Sequence, residues 1–152
     1  MEIEIRQLQS DETPPMDLLL LADPSTRIVE GYLKRGQCFV AEGEGCIVAV
    51  HVLLPTRPDT IELVNVAVSE RHQGKGVGKQ VVRAAIEKAK QLGYATIEVG
   101  TGNSSTGQLA LYQKCGFRIV GVDLDFFTRH YDEEIVENGI PCRDMIRLSQ
   151  DL

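Results

Sequence analysis

Between Val66 and Lys79 the chain reads Val-Ala-Val-Ser-Glu-Arg-His-Gln-Gly-Lys-Gly-Val-Gly-Lys, with Gly74, Gly76 and Gly78 at alternate positions. A β-rich run ends in these glycines, and a helical pattern running from Val77 to Leu92 starts in them. Glycine lets backbone N–H groups come close to a ligand, and a helix start adds unpaired donors and partial positive charge. Together they form a phosphate site. Its donors are the backbone of Gln73, Gly74, Lys75, Gly76, Val77, Gly78 and Lys79, with the Lys75 and Lys79 ammonium groups as additional charge. A Walker loop is excluded, because Lys75 is followed by Gly76 and not by Ser or Thr. A dinucleotide fingerprint matches poorly, because the third glycine follows the second too closely.

Further on, Asn103 is followed by Leu111-Tyr112-Gln113-Lys114-Cys115-Gly116-Phe117. The pattern Gln73-x-x-Gly76-x-Gly78 after a Val-Ala-Val strand resembles the acetyl-coenzyme A pyrophosphate loop of the GNAT family of N-acetyltransferases. The downstream segment resembles the Asn…Leu-Tyr-x-Lys-x-Gly-Phe signature of the same family, in the same order. The resemblance implies acetyl-coenzyme A as cosubstrate, with its pyrophosphate on residues 73–79 and its pantetheine arm along the backbone of Val66 and Val68. It implies that Asn103 hydrogen-bonds the pantetheine and that Tyr112 lies beside the sulfur. A phenol of ordinary pKa near 10 can protonate a departing thiolate there. For the base, Glu98 corresponds to the strand glutamate proposed in ribosomal-protein N-terminal acetyltransferases. Glu62 is its rival, since other branches use a glutamate near that strand. A carboxylate partly buried in a β-run has a raised pKa suited to either role. Asn103 stands about two residues farther from Tyr112 than in the family pattern, so Ser104 or Ser105 can substitute for it.

The stretch from Asp123 to Pro141 reads as a long loop rich in aromatic and acidic residues, and such loops tend to be functional. By family analogy it binds the acceptor, with Phe126, Phe127, His130 and Tyr131 as candidate walls. The implied acceptor is a primary amine attacking directly in a ternary complex. The acidic Asp132-Glu133-Glu134 run favours a small cationic, aminoglycoside-like amine, whereas the Glu98 and Asn103 resemblance favours a protein N-terminus or lysine. A non-catalytic acyl-coenzyme A sensor is the alternative within the family, and a nucleotide-binding regulatory domain the alternative outside it.

Composition limits the rest. The 152 residues suit a single domain spanning 1–152, and 43% hydrophobic with 25% charged content is ordinary for a globular protein. A net charge of −6 argues against nucleic acid as a partner. The apolar run Leu18 to Ala22 is far shorter than the roughly 20 residues that span a bilayer, and the acidic N-terminus lacks a signal-peptide pattern. No membrane partner is therefore expected, and a cytoplasmic location is. Cys38, Cys46, Cys115 and Cys142 are scattered, and His51, His72 and His130 show no ligand spacing, so no metal is expected. A homodimer is left open.

These residues need a scaffold. Alternation from Met1 to Leu8 marks a strand, Met16 to Ala22 a helix, Ser25 or Thr26 the cap of a second helix running to about Arg35, and Gln37 to Glu42 and Cys46 to Leu54 a hairpin. Pro55 to Asp59 reads as a loop, Thr60 to Val68 as a strand, and Val77 to Leu92 as the long helix. Strand Ala95 to Gly100, helix Thr106 to Lys114, strand Phe117 to Val122 and a closing edge or hairpin strand Cys142 to Leu148 follow. The fold class is α/β (α+β): a mixed, mostly antiparallel twisted sheet flanked by helices, in the order β-α-α-β-β-β-α-β-α-β-β.

Overall fold

The computed structural model describes residues 1–152, and its elements follow that order with additions near the C-terminus. In chain order they are β1 (Glu4–Gln7), α1 (Met16–Ala22), α2 (Thr26–Arg35), β2 (Gln37–Gly43), β3 (Cys46–Arg57), β4 (Thr60–Val68), α3 (Val77–Gln91), β5 (Thr96–Gly102), α4 (Thr106–Lys114), β6 (Arg118–Asp123), α5 (Phe126–His130), β7 (Val136–Glu137), β8 (Ile140–Pro141) and β9 (Met145–Asp151). Seven strands form one sheet in the order β1-β2-β3-β4-β5-β9-β6, while β7 and β8 pair only with each other. Every pairing in the large sheet is antiparallel except that of β4 with β5.

Each face of the sheet has its own core. On one, α3 presents Val77, Val81, Val82, Ala85, Ile86 and Ala89 to Ile61, Leu63, Ile97, Val99 and Leu148. On the other, Leu18, Leu19, Val29 and Tyr32 of α1 and α2 cover Val40, Val50, Val52 and Leu54. Fully burying a side chain such as Leu19 or Val29 contributes about 1.5–3 kcal/mol. The helical spacing of apolar residues thus translates directly into one packed face per helix.

Three expectations are corrected. Pro55 does not start a loop: β3 continues to Arg57, with Pro55 opposite Ile61 beside a register shift that accommodates its missing N–H. The turn is confined to Pro58 and Asp59, where Asp59 takes a φ of 59°. The last strand begins later, at Met145, and it is not an edge, because it lies between β5 and β6. The segment Asp123 to Pro141 is not a plain loop but contains α5 and the β7–β8 hairpin. Asn138 (φ 54°) and Gly139 (φ 73°) form that hairpin's turn, and Asn-Gly is the strongest short hairpin signal in the chain.

Two local irregularities position the site. Val52 pairs with Asn65 but Leu53 with Leu63, so Val64 is an unpaired bulge residue in β4. The bulge resets the alternation: Val66 joins Leu63 in the α3-side core, while Val64 and Ala67 face α1 and α2. At the end of α4, Phe117 N–H donates to Tyr112 O (3.0 Å) and Gly116 N–H to Gln113 O (3.1 Å). This is the Schellman pattern, closed by an edge-to-face contact of the Tyr112 and Phe117 rings at 5.9 Å. The Tyr-x-x-x-Gly-Phe spacing is therefore a device that fixes Tyr112.

Gly116 adopts a φ of 99°, and a Cβ there would meet the Gln150 side chain at 3.1 Å. Gly116→Ala is expected to lower unfolding free energy by about 1–2 kcal/mol, measured by urea denaturation. An unchanged denaturation midpoint would contradict the cap.

Candidate active site

Pairing of β4 with β5 covers only Thr60 to Leu63 against Thr96 to Val99. Beyond that point β4 stays with β3 as far as Val68, and β5 stays with β9 as far as Gly102. The strands diverge and leave a wedge in the middle of the sheet. Two connected clefts occupy it.

The outer cleft, of about 520 Å³, is lined by Val66, Ala67 and Val68 of β4, by Gln73, Gly74 and Gly78 of the glycine loop, and by Ser105 to Gln108 and Leu111 around α4. The backbone N–H groups of residues 74–79 donate to no acceptor in the chain. Gly74 and Gly76 take φ values of 77° and 79°, and Gly76 caps α3 in the left-handed conformation. Unpaired donors at the N-terminus of a 15-residue helix are what an anion requires. The loop is braced from below. Gln73 Nε2 donates to Val68 O (3.0 Å), and buried His72 bridges Ser69 Oγ (2.5 Å) and Glu44 (3.2 Å) through its two ring nitrogens.

The inner cleft, of about 360 Å³, shares Val66, Ser105, Gln108 and Glu137 with the outer one. Its other walls include Tyr112, Gly100 to Gly102, Asn65, Asp23, Phe127 and Tyr131. A Cβ at Gly100 or Gly102 would overlap Met145 Sδ or Cys142 Sγ respectively, so those side chains would have to move. Gln108 Oε1 is buried without a hydrogen-bond partner at the junction of the clefts. Burial holds the Tyr112 phenol above its ordinary value, so it stays protonated at neutral pH.

Sequence-derived candidates separate clearly in space. Val66, Val68, Gln73, Gly74 and Gly78 line the outer cleft; Val77 is buried in the core, and the Lys75 and Lys79 side chains are exposed outside it. Asn103 lies off both clefts, with its amide engaged elsewhere: Oδ1 accepts from Arg143 and Asp144 N–H (2.8 and 3.0 Å), and Nδ2 donates to Pro141 O (3.1 Å). It fastens the segment before β9 to the end of β5, while Ser105 lines both clefts. Phe127 and Tyr131 line the inner cleft as one face of α5 and its end, whereas the Phe126 and His130 rings contact each other outside it, with centroids 4.7 Å apart and planes inclined at 57°.

Glu62 and Glu98 sit side by side in register on β4 and β5, and neither lines a cleft. Glu98 is ion-paired with Arg57. Burial raises the Glu62 carboxyl above its ordinary value against the opposing pull of Arg147, with a push from Glu98. Sequence reading missed four cleft-lining residues, Asp23, Asn65, Gln108 and Glu137, which only tertiary packing brings to the wedge. For Asp23 the available signal was its place in the Asp-Pro-Ser break between α1 and α2.

Residues 3–117 match the model of the acetyltransferase (GNAT) family. The chain belongs to that family of enzymes. It is 60% identical over its full length to the N-acetyltransferase YvbK of Bacillus subtilis (strain 168), 97% of which is covered. A Bacillus subtilis acetyltransferase solved in complex with CoA shares 59% identity and a TM-score of 0.94, with 99% of each chain covered. A GNAT family acetyltransferase from Elizabethkingia anophelis with acetyl-CoA bound shares 45% identity and a TM-score of 0.97, over 99% of this chain and 98% of the other. No helix is long and apolar enough to cross a membrane, and no group of His, Cys, Asp and Glu is arranged to hold a metal ion.

A Cβ on Gly76 would meet nothing within 4 Å, so the constraint is its positive φ. Gly76→Val is expected to turn the first α3 donors away from the cleft, raising the acetyl-coenzyme A dissociation constant at least about tenfold with a cooperative melt retained. Calorimetry showing wild-type affinity would contradict the loop's role.

Proposed function

We propose that this protein transfers the acetyl group of acetyl-coenzyme A to a primary amine by direct attack, with both substrates held together in the wedge between β4 and β5. The observation that carries the reading is the meeting of an unpaired N–H cradle with a second, separately walled cleft at Tyr112. The residues fit the coenzyme: the loop donors match a pyrophosphate, the free edge of β4 at Val66 and Val68 matches an amide-bearing arm, and orphaned Gln108 Oε1 can accept an amide N–H. When bound, the coenzyme supplies a thioester carbonyl as electrophile.

The chain's own residues do the rest. The outer cleft anchors one substrate and the inner cleft orients the other, which converts a bimolecular encounter into a reaction of neighbours. Tyr112, kept protonated by burial and held by the α4 cap, is the acid for the leaving thiolate. Glu62 and Glu98 take no part in the proton transfers proposed, because neither lines the outer or the inner cleft and Glu98 is held by Arg57. Four free cysteines accord with a reducing, cytoplasmic setting.

Tyr112→Phe keeps the ring contact with Phe117 and removes only the acid. Single-turnover acetylation is expected to slow by about 10²–10⁴-fold with coenzyme affinity nearly unchanged. Glu98→Gln, measured in parallel, is expected to stay within about tenfold of wild type. A wild-type single-turnover rate in Tyr112→Phe would remove the phenol from the chemistry.

A further inference from the structure

Asp23 follows α1 and is only 9% exposed, yet no Lys, Arg or His pairs with it. Its Oδ1 accepts from Tyr131 Oη (2.9 Å) and from Ser25 N–H (3.2 Å), and its Oδ2 accepts from Tyr32 Oη at 3.3 Å. Beside it, Asn65 of β4 is 4% exposed. Asn65 Nδ2 donates to Leu19 O (2.9 Å) and to Tyr32 Oη (2.8 Å). The Leu19 carbonyl can only accept, so it fixes which end of the amide is Nδ2. Asn65 Oδ1 is consequently a buried acceptor without a donor. Both hydroxyl protons of the corner are spent on Asp23, and what is left over is acceptor capacity and one negative charge. A buried carboxylate without a cation is costly unless a cation arrives.

Asp23, Asn65 and Tyr131 line the same inner cleft as Tyr112. No basic side chain lines it, and its remaining walls include Leu21, Pro24, Phe127, Ile135 and Met145. Leu21 is 49% exposed, an apolar side chain open to whatever enters. The acidic residues Asp132, Glu133 and Glu134 lie in a different depression, on the far side of Phe127, Tyr131 and Ile135. Glu137 is the other acidic residue of that lining; it stands at the junction with the outer cleft, where its Oε1 accepts from Ser104 and Ser105 Oγ (3.3 and 2.8 Å). Asp23 is therefore the one carboxylate away from that junction, in a largely apolar space of small-molecule size.

On the acetyltransferase reading above, we propose that the Asp23–Asn65 corner receives the reacting ammonium of the acceptor and that Asp23 takes its proton. The acceptor is then a compact monoamine with an aliphatic or aromatic body, not a polycation or a protein lysine. In the step, one N–H bond of the ammonium breaks and its proton passes to the Asp23 carboxylate. The freed nitrogen lone pair attacks the thioester carbonyl carbon, the C–S bond breaks, and the thiolate takes the Tyr112 proton. The remaining surplus N–H proton returns to the Tyr112 oxygen. Burial, which raises the Asp23 carboxyl against the hydrogen bonds from Tyr131, Ser25 and Tyr32, suits the carboxylate to accept a proton.

The test compares 2-phenylethylamine, spermidine and a lysine-containing peptide as acceptors with acetyl-coenzyme A. The monoamine is expected to exceed the other two at least about tenfold in kcat/KM. Asp23→Asn is expected to reduce that value by about 10²–10⁴-fold with coenzyme affinity unchanged. Preference for spermidine or the peptide, or a folded Asp23→Asn enzyme of wild-type kcat/KM, would overturn the proposal. Tyr131→Phe provides a second handle if Asp23→Asn does not fold. It removes a hydrogen bond that favours the carboxylate, so the acid limb of the kcat/KM profile should move to higher pH, and an unmoved limb would also overturn the proposal. If acetyl-coenzyme A binds and no amine is acetylated, the acetyltransferase reading fails. The corner is then judged by calorimetry with 2-phenylethylamine alone: binding lost in Asp23→Asn supports it, and no binding to wild type refutes it.

Discussion

Two parallel strands that pair at one end and separate at the other are the feature on which the rest depends. A continuous ladder between β4 and β5 would consume the backbone groups of Val66 to Val68 and close the sheet. Pairing that stops at Leu63 and Val99 leaves those groups free and opens a path from one face of the sheet to the other. The divergence holds because each strand has a firmer partner elsewhere, β3 for β4 and β9 for β5. The insertion of β9 between β5 and β6 is thus part of the site's construction as well as of the sheet.

Around the wedge, each chemical group is held by a small structural device. The α3 cap at Gly76 aims unpaired N–H groups, and His72 and Gln73 brace the loop against the sheet. The Schellman turn at Gly116 fixes Tyr112. The Val64 bulge shifts the alternation of β4 by one residue, so that Val66 and not Asn65 shares the α3 face with Leu63. On the function proposed, coenzyme and acceptor meet where the outer and inner clefts join.

The parts of this arrangement that depend on local chemistry were legible in the sequence. Glycines before a helical run, the Tyr-to-Phe spacing of α4 and the apolar stripe of α3 are short-range patterns, and each is found where the pattern puts it. The parts that depend on tertiary contact were not. Asn103 carries a binding-motif identity, but its amide is absorbed by the segment before β9. Asp23 reads as a helix breaker until α5 brings Tyr131 against it, more than a hundred residues later. The Asn138-Gly139 turn was readable yet lay inside a segment whose length suggested a loop. Glu62 and Glu98 lie on strands as expected, and only the register shows them beside each other and away from the clefts.

The central claim is that both substrates occupy the wedge together and that the acetyl group passes directly between them. Cys115, the thiol nearest the signature tyrosine in sequence, lines neither cleft. Initial rates measured over a matrix of acetyl-coenzyme A and 2-phenylethylamine concentrations test this most directly. Double-reciprocal lines that intersect are the predicted result, as required by a ternary complex. Parallel lines, the signature of an acetylated enzyme formed before the amine binds, would contradict it.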